Sequence, residues 1–119
     1  MDELIGRLVT DTGLDRATAE KAVGIIFDFL VKEGPADKVQ PLVARLPGVE
    51  ALMQKAAGEN GGGSMGGVMG AGMRMMSAGL SMGQVQGVAR AVLAYAREKA
   101  GEDAVGEIVA AIPGLADFV

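Results

Sequence analysis

Apolar residues in this chain recur three and four apart and form no convincing two-residue alternation, so helices are predicted and strands are not. Val39, Leu42, Val43 and Leu46 follow the i, i+3, i+4, i+7 spacing, as do Val105, Ile108, Val109 and Ile112. Each set places four branched side chains on one helical face. A longer stripe of Ala19, Ala22, Val23, Ile26, Phe27 and Leu30 predicts a helix entered through Leu14, with Asp15 as its N-cap. Leu4, Ile5, Leu8 and Val9 predict a short first helix ending near Gly13.

The breaks between stripes are also visible. Proline cannot continue the helical ladder and biases the residue before it towards extended backbone. Pro47-Gly48 and Pro113-Gly114 should therefore end two helices near Leu46 and Ile112. After them, Val49, Leu52 and Met53, and again Leu115, Phe118 and Val119, predict a short helical turn back to the core. Ser81-x-x-Gln84 has the spacing of a capping box. Gly34 and Gly101 stand where a left-handed residue would close a helix.

Sliding the chain along itself by 66 residues, without gaps, lays residues 1–53 on residues 67–119. Six of twelve pairs are identical where Asp37–Gly48 meets Asp103–Gly114. Elsewhere the apolar register holds, with Ile26 over Val92, Phe27 over Leu93 and Phe29 over Tyr95. The expected fold is all-α: two pseudo-symmetric copies of a four-helix unit packed as one bundle, in a single domain. Copy one covers residues 1–53, a glycine-rich linker residues 54–66, and copy two residues 67–119.

Composition singles out the middle of the chain. Residues 58–87 hold 11 of the 19 glycines, and residues 65–82 hold 6 of the 8 methionines. Two readings stand side by side. In one, Val68–Met76 is the first helix of copy two, ending near Gly79, and its methionines fill the core. Met69, Met73 and Met76, spaced three and four apart, then face inward as Leu4 and Val9 do. In the other, Met69, Met73, Met75, Met76 and Met82 form an exposed interaction patch, since thioether side chains adapt to varied partner surfaces.

Candidate chemistry is sparse. The chain has neither His nor Cys, which removes the usual neutral-pH base, the thiolate nucleophile and the commonest zinc ligands. Asp37 and Asp103 recur at equivalent positions ahead of amphipathic helices and read as caps or dipole partners rather than as a catalytic pair. Gly61-Gly62-Gly63-Ser64 follows no strand and precedes no Gly-Lys-Ser/Thr, so a phosphate loop is not supported. The net charge of -4 and an aromatic content of 3% disfavour nucleic acid. Arg74 interrupts the most apolar glycine-spaced stretch, so membrane insertion is not expected. With no leader-like start, a cytoplasmic location is the expectation.

At the two turns Leu46-Pro47-Gly48-Val49 and Ile112-Pro113-Gly114-Leu115, together with Gly101-Glu102-Asp103-Ala104-Val105, the sequence resembles small proteobacterial proteins grouped as a domain of unknown function. The resemblance implies helical halves around a glycine-rich middle. It transfers no catalytic or cofactor-binding residue.

The sequence alone therefore points to a non-catalytic helical module without metal or cofactor. Its partner would be another protein or a second copy of the chain. Two other expectations remain open, a carrier of a small apolar ligand held between the halves and a peripheral membrane protein.

Overall fold

The computed structural model describes the backbone of residues 2–46, 48–60, 67–112 and 114–115, and the side chains of these outside 55–60 and 67–69. Seven helices follow one another among them: α1 (Asp2–Thr12), α2 (Arg16–Glu33), α3 (Ala36–Ala44), α4 (Val49–Asn60), α5 (Gly67–Ser77), α6 (Met82–Ala100) and α7 (Glu102–Ala111). No described residue lies in a strand.

The centre is α2. Every residue from Ala22 to Leu30 is buried, as expected for a helix that is apolar all round and covered on every side. The predicted stripe is part of this run, with Ile25 and Phe29 added on the remaining faces. Helices α1, α3, α4, α5 and α6 all pack against it, and α4 lies along it most extensively. By contrast α6 buries Val85, Val88, Ala89, Val92, Leu93, Tyr95 and Ala96 while leaving Arg90, Ala94 and Arg97 exposed. It is amphipathic where α2 is wholly enclosed.

Packing crosses between the halves of the chain. α1 lies on α6, α5 lies on α2, the long helices α2 and α6 touch, and α3 meets α7. Polar contacts reinforce the α1–α6 seam at its rim. Arg7 donates to both carboxylate oxygens of Glu98, at 2.6 and 3.0 Å, and this hydrogen bonding holds the Glu98 carboxyl below its usual range. The Arg7 guanidinium and the Lys99 ammonium also lie over the Tyr95 ring, at 5.6 and 5.4 Å from its centroid.

The capping box forms as expected. Ser81 Oγ accepts from the Gln84 amide at 3.2 Å, and Gln84 Oε1 accepts from the Ser81 amide at 2.9 Å. The Gln84 Nε2 group also donates to the Thr12 carbonyl at 3.0 Å, tying the start of α6 to the end of α1. Asp15 occupies the N-cap of α2 with extended backbone but makes no side-chain cap hydrogen bond. Pro35 and Gly101 take the N-cap positions of α3 and α7, so Asp37 and Asp103 fall inside the first turns. There their charge favours the positive end of the helix dipole without capping it.

Three further expectations change. Residues 54–60, expected as linker, are the continuation of α4. Gln54, Lys55, Ala56 and Ala57 favour helix, and they extend a helix that packs along α2. Of that linker, residues 61–66 lie outside the described residues, as do Pro47, Pro113 and the end of the chain from 116 onward. Val9, expected in the core, is 37% exposed, because α1 turns Leu4, Ile5 and Leu8 inward.

Gly34 is the third. Its φ of -87° is ordinary extended backbone, not the left-handed closure expected of it. The glycine is required by proximity instead, since a Cβ there would lie 2.6 Å from the Leu30 carbonyl oxygen and 2.9 Å from Val39 Cγ2. Gly34→Ala should therefore destabilise the protein by about 1–3 kcal/mol. Gly6, inside α1, has nothing within 4 Å of its added Cβ, and Gly6→Ala should stabilise by about 0.5–1 kcal/mol. Urea midpoints of the two variants should move in opposite directions, and a stabilised Gly34→Ala would refute the crowding argument.

Candidate functional site

Helix α5 carries most of the candidate patch, and its described inner face combines two small residues, one methionine and one arginine. Gly70, Ala71 and Met75 are buried, and Arg74 is half-buried between them. Met73 and Met76, three residues apart, project from the opposite face, 51% and 46% exposed. Met82, in the first turn of α6, is 50% exposed. Helix α5 packs on α2 and α6 through this face, which leaves Met73 and Met76 on the outside.

This arrangement corrects the expected inward-facing set. Met73 and Met76 do not face the core, whereas Met75, only 4% exposed, belongs to it and not to a surface patch. The side chain of Met69 lies outside those described. Both faces of α5 are apolar in sequence, so spacing alone could not choose between them. Met75→Asp should lower stability by about 2–3 kcal/mol by burying an unpaired charge. Met73→Asp should change it by no more than about 0.5 kcal/mol. Equal losses in thermal or urea unfolding would contradict the assigned orientation.

Beneath α5 lies a cavity of about 30 Å³, lined by apolar atoms of Ile26, Phe29, Leu30, Met75, Val85 and Leu93 among others. That is about the volume of one water molecule, far below the ~300 Å³ of small-molecule sites. The cavity gives the carrier reading no support. Among the described residues, no cluster of three or more Asp and Glu side chains could hold a metal ion. No helix there is long and apolar enough to cross a membrane.

One feature escaped the sequence reading. Asp28, in the middle of the buried run of α2, receives Arg74 Nη1 at 3.0 Å and Lys32 Nζ at 3.1 Å on the same oxygen. Arg74 Nε and Nη2 are buried with no hydrogen-bond partner among the described residues. The available signal was a lone acid inside an apolar helix and a lone base inside the glycine- and methionine-rich segment. Oppositely charged residues isolated in apolar surroundings are candidates to pair.

Comparison with protein-family models, with curated proteins and with solved structures finds no match to this chain. The functional reading rests on its own residues.

Proposed function

We propose that the chain is a non-catalytic helical interaction module that presents Met73, Met76 and Met82 to a protein partner, which can be a second copy of itself. One observation carries this reading: three long thioether side chains stand about half exposed, and among the described residues the exposed large apolar side chains are these three and Val9. An unbranched, polarizable side chain adapts its rotamers to differently shaped partners at little steric cost. On this reading the module works in the cytoplasm and needs no cofactor.

The same proposal treats the chain as two copies of one helical unit, with kinship to the small proteobacterial family that its Pro-Gly turns resemble. Supporting it, α1, α2 and α3 correspond in order to α5, α6 and α7, with starts 65 or 66 residues apart. The positive-φ glycines include two pairs at the same 66-residue spacing, Gly13 with Gly79 and Gly48 with Gly114. Leu14 and Leu80, Phe27 and Leu93, Leu42 and Ile108, and Leu46 and Ile112 are buried in both copies.

Photo-methionine incorporation tests the partner surface. Residues 73, 76 and 82 should crosslink to another protein chain in native extract or to a second copy of the pure protein. The triple variant Met73→Ser/Met76→Ser/Met82→Ser should keep its melting temperature and lose that adduct. Undiminished crosslinking by the folded variant, necessarily through other methionines, would overturn the assignment.

A further inference from the structure

We propose that α5 is a detachable strap, a helix that undocks from α2 and α6 while the rest of the bundle stays folded. Its counterpart α1 docks with Leu4, Ile5 and Leu8, all essentially inaccessible to solvent. Among the described side chains of α5, residues 70–77, the inward positions hold Gly70, Ala71, Arg74 and Met75, so less apolar surface leaves water there. Three of its eleven residues are glycine, which weakens the helix itself. A cavity of about 30 Å³ lies against its inner face, where attractive contacts are missing.

Arg74 adds a polar cost. Its Nε and Nη2 atoms have lost water without gaining a partner among the described residues, a condition relieved when the guanidinium swings out. Asp28 is not stranded by that departure, because Lys32 Nζ stays 3.1 Å from the same carboxylate oxygen on α2 itself. Undocking would uncover an apolar groove on α2 and α6 that includes Ile26, Phe29, Leu30, Val85 and Leu93. Such a groove suits an amphipathic helix. This strap stands independently of the methionine surface, whose residues 73 and 76 are exposed with α5 in place.

Native-state hydrogen exchange on the full chain tests it. Amides of residues 72–77 should exchange roughly 30-fold faster than the slowest amides of α6, reflecting a local opening. Gly6 in α1, whose added Cβ would meet nothing within 4 Å, supplies the second arm. Gly6→Ala stabilises the bundle against global unfolding, so it should slow the slowest α6 amides about 3-fold while leaving α5 exchange unchanged, since α1 stays folded when α5 opens. Equal protection of α5 and α6, or equal slowing of both in Gly6→Ala, would show that α5 unfolds only with the whole protein and would overturn the proposal.

Discussion

Phe27→Ala should remove about 3–5 kcal/mol of stability, a large share of the roughly 5–15 kcal/mol that holds a domain of ordinary stability. Phe27 heads the largest fully buried side chains, with no exposed surface. It sits in the middle of α2, the helix on which five others pack. Truncation should leave a cavity because those neighbours are braced against one another and cannot all collapse into it. Phe27→Leu, which keeps a large apolar side chain at the same point, should cost less than about 1.5 kcal/mol. The check is the urea midpoint at constant slope. A loss below about 1 kcal/mol for Phe27→Ala would show that the centre of α2 is loosely packed.

The long helices were legible because their information is local. Ser81 and Gln84 cap α6 by hydrogen bonds to each other, and the spacing of Val39, Leu42 and Leu46 forces one face inward wherever the helix sits. Orientation of α5 was not legible for the opposite reason. Its methionines stand on more than one face, and the choice between them falls to how the helix packs on α2 and α6, a tertiary property. Gly34 is a similar case, since glycine suits both a left-handed turn and a crowded extended one, and only the Leu30 carbonyl at 2.6 Å distinguishes them. The reach of α4 to Asn60 was not legible because residues 54–60 carry no apolar stripe, and the packing of α4 along α2 is tertiary information. For the candidate site, composition located the methionine segment, but the division between Met75 inside and Met73 and Met76 outside needed the packed bundle.

Residues 1–60 expressed alone should fail to fold as a monomer, although they contain four of the seven helices. The two halves are interlocked: α1 depends on α6 for its partner surface, and α2 shares faces with both α5 and α6. Cutting the chain there would expose Leu4, Ile5 and Leu8 on one helix and Ile26, Phe29 and Leu30 on the next, residues that are all buried in the whole protein. A fragment of about 60 residues has little margin for such a loss, because small chains bury a smaller fraction of their surface. Far-UV circular dichroism of the fragment at low concentration should show reduced helicity and no cooperative melt. Adding an equimolar amount of residues 67–119 should restore both, since that fragment brings back the missing faces. A second copy of residues 1–60 offers apolar faces of its own, so helicity that rises with fragment concentration alone is also expected. A monomeric, cooperatively melting 1–60 would mean that α1 and α2 find sufficient burial against α3 and α4, and the interlocked reading of the fold would fall.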